Sequence, residues 1–417
     1  MAKAPMHARR KNPILRTPLP TLPPHARSRV ALGLTAAAAR GALELQVCRD
    51  CRAVQYPPRE VCRACLSSRL IWRPHNGEAE LAAETVLHAA QDLYFRERLP
   101  WRIGIVRLDG DANMVVYVHD SVGSAPCRVR VEAALDRAGE AVLLAVPPDG
   151  NADLSADPKL REMTCDPRGR KILVTDGKTA VGQAVVRALA TAGAEMIWAG
   201  EAEPWKKIAE AATLRDLPQV MMVPLDVTDS HSVHELAGEI GAKVDILVNT
   251  ADCHRTLTIG AGGALNAAQL EMDINYFGLL RLAKEFAPFL KARAADGPAS
   301  AVAWVNVLSI FALSNYPPHG TYSASKAAAL SLSQALRADL YTAGVRLINL
   351  FPGPVDDDWD QLELPPKLSP GALAAALVVA LQGSMEDVYP GEVAQDWLER
   401  HGDNAKALER ELSEGSQ

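Results

Sequence analysis

The spacing of apolar residues changes twice along the chain. Residues 29–45, rich in Ala and Leu, predict a short helix running into a strand. From about Leu70 to Val146 the apolar positions form short alternating runs between turn residues, as in WRIGIVRLDG and ANMVVYVHD. Such runs at close spacing predict the strands of a small barrel. Residues 147–170 (PPDGNADLSADPKLREMTCDPRGR) are polar and predict a linker. Beyond Lys171 the runs are almost wholly apolar: KILVTD, EMIWAG, QVMMVPLDV, VDILVNTA, AVAWVNVLS and VRLINLFPG. Helical stretches such as AVGQAVVRALATAG, PWKKIAEAATL and SVHELAGEIG separate them. Buried strands alternating with helices predict an α/β fold with a doubly wound parallel sheet. The expected organisation is an arm (1–28), a first domain (29–148), a linker (149–169) and a second domain (170–417).

Composition narrows the function classes. The 417 residues are 48% hydrophobic and 23% charged, ordinary globular usage. The net charge of −6 is uneven. Residues 1–30 carry seven bases (Lys3, Arg9, Arg10, Lys11, Arg16, Arg27, Arg29) and no acid, which leaves a body of −13. An acidic body argues against a nucleic-acid footprint and suits the basic, Pro-rich arm to an acidic protein surface. The apolar run Ala372–Leu381 is far shorter than the ~20 residues of a membrane span. The N-terminus has no continuous apolar stretch of a secretory signal, so a reducing cytoplasm is expected.

Four of the seven cysteines form two pairs, Cys48-Arg-Asp-Cys51 and Cys62-Arg-Ala-Cys65, ten residues apart. Two such knuckles can present four thiolates in a tetrahedron, the geometry of structural Zn²⁺. A redox CxxC is the alternative. Cys127, Cys165 and Cys253 are expected to be free thiols. The leading helix, the knuckles with Tyr56-Pro57-Pro58-Arg59 between them, and the CLSSRLIWRPHNGEAEL run before the barrel together resemble zinc-ribbon/OB-fold proteins of acyl-CoA metabolism. That resemblance implies a rubredoxin-like ribbon, an OB-fold barrel, and docking of a thiolase-like enzyme or an acyl-CoA hydratase or aldolase.

The second domain opens with Thr175-Asp176-Gly177-Lys178-Thr179-Ala180-Val181-Gly182 between a strand and a helix. A Gly-bearing turn there lets backbone approach a pyrophosphate at the helix N-terminus. The turn resembles the TGxxxGxG loop of short-chain dehydrogenase/reductases, with Asp176 and Ala180 in place of two glycines. Leu225-Asp226-Val227, Val248-Asn249-Thr250-Ala251, Asn275-Tyr276-Phe277-Gly278, Ser309, Tyr322-Ser-Ala-Ser-Lys326 and Pro352-Gly353-Pro354-Val355 match further motifs of that family in order. Thr250, Asp252 and Asp357 depart from it.

Oxidising an alcohol needs a base, and a tyrosine normally ionises near ~10. Lys326 stands one helical turn after Tyr322 and favours tyrosinate. The resemblance implies that Lys326 also binds the nicotinamide ribose, that Ser309 holds the substrate oxygen and that Asn275 anchors a relay water. It implies cofactor contacts from Thr175, Gly177, Ala180, Val181, Gly182, Asp226, Val227, Asn249, Ala251, Tyr322, Lys326, Pro352, Gly353 and Val355. Glu201 ends the second strand, where an acid favours the free ribose hydroxyl of NAD. Lys178 keeps NADP open.

The expected protein is thus a Rossmann-fold oxidoreductase acting on a hydroxyacyl-CoA or ketoacyl-CoA, forming homo-oligomers and carrying a partner-docking module. The rival is a non-catalytic scaffold, because Asp176, Thr250, Asp252 and Asp357 all depart from the family at cofactor-facing positions.

Overall fold

Two cysteine turns organise the first sheet. In the computed structural model, which describes residues 20–24, 27–109, 112–150, 152–202, 213–296, 302–357 and 366–414, helix α1 (Leu32–Ala38) precedes strands β1 (Glu44–Cys48), β2 (Val54–Gln55) and β3 (Leu70–Pro74). The strands pair antiparallel in the order β2-β1-β3. Cys48 pairs with Leu70, so the strand leaving the second knuckle returns beside the one entering the first. Leu70–Pro74 therefore belongs to the ribbon, and the barrel begins later than the alternation suggested.

Strands β4 (Glu78–Leu87), β5 (Trp101–Leu108), β6 (Asn113–Val118), β7 (Cys127–Leu135) and β8 (Ala141–Val146) close a barrel in the order β4-β5-β6-β8-β7, with a short helix α2 (Leu93–Glu97) between β4 and β5. Strand β4 completes the circle by pairing with β7. Val106, Leu108, Met114, Val116 and Val118 fill the interior, while Ile105 and Val115 face outward. This is the period-2 pattern that the sequence showed.

The polar stretch after β8 does not hang free as a tether. It makes two 3₁₀ turns, Leu154–Ala156 and Leu160–Met163, and buries Leu160, Glu162, Met163 and Cys165. The Glu162 carboxylate accepts from Arg98 Nε at 2.7 Å and from the Tyr94 hydroxyl at 3.4 Å. Cys165 N donates to Leu381 O at 2.8 Å. Its aspartates suggested a loop because they make turns. Asp153 accepts from Ser155 N, and Asp157 from Lys159 N.

The second domain is a seven-stranded parallel sheet of β9 (Lys171–Val174), β10 (Met196–Glu201), β11 (Val220–Pro224), β12 (Ile246–Asn249), β13 (Ala303–Val307), β14 (Arg346–Leu350) and β15 (Asp387–Val388). Their order is β11-β10-β9-β12-β13-β14-β15. Helices α3 (Ala180–Thr191), α4 (Ser230–Ile240), α5 (Ala264–Glu271), α6 (Leu279–Ala294), α7 (Gly320–Tyr341), α8 (Pro370–Gln382) and α9 (Glu392–Glu414) complete it. Alternate strand residues serve two apolar layers. Leu247, Trp304 and Leu347 face one layer with α4, α6 and α7. Ile246, Val305 and Ile348 face the other with α3 and α8. The run Ala372–Leu381 is thus a sheet-covering helix. Among the described residues no helix is long and apolar enough to cross a membrane. Most of the expected arm (1–19) and most of the PWKKIAEAATL helix (203–212) lie outside the described residues.

Strand order reverses between β9 and β12, which opens a crevice at their carboxyl ends.

Candidate active site and metal centre

Each CxxC knuckle closes in the same way. Arg52 N bonds Cys48 O at 2.9 Å, Leu66 N bonds Cys62 O at 3.0 Å, and both Arg52 and Leu66 adopt φ of 61°. Two side-chain-bearing residues held in the left-handed region signal a conformation imposed by a shared requirement. The four Sγ atoms lie within 4.8 Å of one another, with Cys48–Cys65 at 3.6 Å and Cys51–Cys62 at 3.5 Å. A tetrahedral zinc with bonds of about 2.3 Å needs sulfurs about 3.8 Å apart, so the set fits the ion. Cys127, Cys165 and Cys253 are free.

In the second domain the ends of β9 and β12 are tied by hydroxyls. Thr175 Oγ1 donates to Asn249 Oδ1 at 2.9 Å and accepts from Thr250 N and Ala251 N. Thr250 Oγ1 accepts from Asp176 N and donates to Asp176 O at 2.8 Å. The family departure at Thr250 therefore keeps the strand ends joined.

The following loop packs backbone against backbone. A Cβ on Gly182 would lie 1.9 Å from Asp176 O, so only glycine fits. Gly177 N bonds Gly200 O, joining the loop to β10. Thr179 caps α3 through Gly182 N, and Ala180 and Val181 supply the first amides of the helix, which have no intrahelical acceptor. Free amides at a helix N-terminus suit an anion. Asp176 turns its carboxylate onto the amides of Lys178 and Thr179 at 2.8 and 3.3 Å. Burial pushes this carboxyl above its usual range, against those two bonds. A group inclined to hold a proton offers a pyrophosphate less repulsion than a solvated aspartate.

Glu201 is buried at the end of β10 and pairs with Arg215 at 3.0 Å and Lys178 at 3.5 Å. Arg215 is a second base beside Glu201, one that the sequence did not single out. It comes from a turn before β11, and nothing in local spacing announces its reach. Asp226 bonds Thr228 through both the backbone N–H and the hydroxyl, and Val227 packs on Gly278. Glu201, Asp226 and Val227 thus lie along the β10–β11 edge, away from the cleft described next.

One cleft is lined by Thr179, Val181, Asp252, Ser309, Tyr322 and the turn Pro352, Gly353, Val355 and Asp357. Tyr322 and Lys326 reach this region from the first turns of α7, both almost fully buried. Lys326 Nζ lies 5.4 Å from the Tyr322 ring centre and donates to Val307 O at 3.1 Å. Ser309 caps a 3₁₀ turn through Phe311 N. Asn275 sits in a π-helical turn (Met272–Gly278) that joins α5 to α6. Such turns often mark functional sites. Its Oδ1 accepts from Cys253 N, and its Nδ2 donates to Cys253 O and Ser325 Oγ, all at 2.9 Å. This amide clamps the strand end against α7.

His254 also lines the cleft, without any sequence signal. The His254 ring stacks on Tyr322 with centres 3.7 Å apart, and its Nε2 meets Nδ1 of the buried His319. Burial depresses His254 to about 3, so it is neutral near pH 7.

Residues 170–364 match the short chain dehydrogenase family model. Residues 35–70 match the ChsH2 rubredoxin-like zinc ribbon domain, and residues 72–136 the ChsH2 C-terminal OB-fold domain. The chain is 31% identical over 209 residues to short-chain dehydrogenase PC-15 of Penicillium crustosum, spanning 47% of this chain and 74% of that protein. It is 26% identical over 188 residues to a fatty acyl-CoA reductase of Acinetobacter baylyi, spanning 44% and 62%. A short-chain dehydrogenase from Burkholderia cenocepacia, solved in complex with NADP, superposes with a TM-score of 0.53 at 30% identity, covering 59% of this chain and 98% of that one. From its parallel sheet and ordered motifs, and from these likenesses, the chain belongs to the short-chain dehydrogenases, fused behind a ChsH2-type zinc ribbon and OB fold.

Proposed function

We infer that the chain interconverts a hydroxyacyl-CoA and the matching ketoacyl-CoA with a nicotinamide dinucleotide. We infer too that its ribbon and barrel seat a thiolase-like or other acyl-CoA enzyme. The observation that carries the chemistry is the cleft at the strand-order reversal, which Ser309 and Tyr322 both line, with the buried Lys326 one helical turn after Tyr322. When bound, the nicotinamide ring accepts or supplies the hydride. Tyr322 exchanges a proton with the substrate oxygen, Ser309 holds that oxygen, and Lys326 supports both the tyrosine and the ribose. Ala180 and Val181 amides receive the pyrophosphate.

Glu201 suits NAD, whereas Lys178 and Arg215 beside it offer charge to the extra phosphate of NADP, the ligand named for the Burkholderia neighbour. Support for the acyl-CoA class comes from the two ChsH2 domains and the likeness to a fatty acyl-CoA reductase.

Purified protein should turn over 3-hydroxyacyl-CoAs or 3-ketoacyl-CoAs with at least one of the two nucleotides. Tyr322→Phe should lose about 100-fold or more in rate while still binding nucleotide by calorimetry. A rate unchanged in Tyr322→Phe refutes the assignment. The scaffold reading keeps one specific observation, the Asp252 carboxylate between Tyr322 and Lys326. Absence of both turnover and millimolar nucleotide binding would select it.

A further inference from the structure

Asp252 departs from the family pattern and lies against the two residues assigned to chemistry. It stands three residues past the end of β12. Oδ2 accepts the Tyr322 hydroxyl at 3.1 Å, and Oδ1 lies 3.1 Å from Lys326 Nζ. Oδ1 is sealed from solvent and, among the described residues, has no hydrogen bond beyond that ion pair. The next residue is clamped through both its N–H and its carbonyl by the Asn275 amide, so the backbone holds the carboxylate in place.

Among the described residues, three further titratable side chains pack near the ring or line its cleft. From the β12 end, His254 stacks on the ring and is neutral through burial. His319, ahead of α7, meets His254. From the turn after β14, Asp357 lines the same cleft. Lys326, on Tyr322's own helix, supplies the cation, and Asp252 is its counter-ion.

A carboxylate that accepts a phenol's hydrogen bond stabilises the phenol, because phenolate has no proton to give and repels it. The same carboxylate neutralises the ammonium that would favour phenolate. We propose that Asp252 is a positioning residue that keeps Tyr322 in its phenol form, so that the cleft works as a carbonyl reductase at neutral pH and as an alcohol dehydrogenase only in alkali. This deepens the dehydrogenase reading and rests on it. In reduction, Tyr322 gives its proton to the carbonyl oxygen while the carbonyl carbon receives hydride from the reduced dinucleotide. The C=O π bond is replaced by C–H and O–H, the dinucleotide leaves oxidised, and Tyr322 regains a proton from water.

The test needs no turnover. Tyr322 ionisation is read in nucleotide-free protein by phenolate absorbance, as the difference between the chain and its Tyr322→Phe variant. In Asp252→Asn, with its own Tyr322→Phe control, that ionisation should fall by about one pH unit or more. Asp252→Gly, which removes the side chain altogether, gives a second variant, and circular dichroism checks the fold of both. An unchanged Tyr322 titration in whichever variants fold overturns the proposal. In active protein, the alkaline rise of alcohol oxidation should move down by the same interval in Asp252→Asn. A protein without turnover refutes the enzyme reading, and the absorbance titration still decides the role of Asp252.

Discussion

Thr250 shows why a residue that breaks a motif need not break a site. Its hydroxyl receives one Asp176 backbone group and donates to the other, so a short side chain does the joining at the strand ends. Tyr322, Lys326 and Ser309 were legible in the sequence because their types and spacing carry the chemistry directly. His254, His319 and Arg215 were not, because each acquires its partner from a distant part of the chain. His254 also carries a stability prediction. Its folded-state value is depressed to about 3, while an unfolded histidine titrates near ~6.5. Below the latter value the unfolded chain takes up a proton that the folded one refuses, so stability falls as pH drops from about 6.5 toward 3. His254→Phe should remove part of that acid sensitivity, seen as a flatter melting temperature against pH across this window.

At the scale of elements, the π-helical turn and the zinc ribbon do comparable work, since each fixes a backbone path that its sequence alone would not hold. The ribbon sheet has two strands of five residues, β1 and β3, and only two residues in β2. So small a sheet depends on its metal, whose binding energy is folding energy for such modules. Elemental analysis should find one zinc per chain. Cys51→Ser should lose that ion and the ribbon fold, with the second domain still folded by circular dichroism. Retention of zinc in this variant would rule out the four-sulfur site. The paired CxxC spacing made the ribbon legible. The π turn was invisible, because its residues Met272–Gly278 read as ordinary helix and the Asn275 bond to Cys253 joins it to a distant part of the chain.

Across the whole molecule, the two halves are joined through more than one peptide segment. Arg346 Nη2 donates to Asp136 O at 2.6 Å, while Nη1 pairs with Glu386 at 3.2 Å, and the side chain is 9% exposed. Arg137 Nη2 donates to Ala294 O, and Glu386 N to Ala39 O. The alternating pattern revealed both folds but not this seam, because polar residues at a buried interface look like loop residues in sequence. Arg346→Ala removes the ion-pair partner of the half-buried Glu386 and the donor to Asp136 O, which should cost about 1–2 kcal/mol. Calorimetry should then resolve two unfolding transitions, and a single unshifted transition would refute the seam. The packed stretch after β8 has one more consequence. It acts as a bracket and not as a leash, so any protein seated on the barrel meets the dehydrogenase cleft at one bearing. Passage of an intermediate between them would then depend on angular alignment, and a few residues inserted into that bracket would misalign the two sites without separating them.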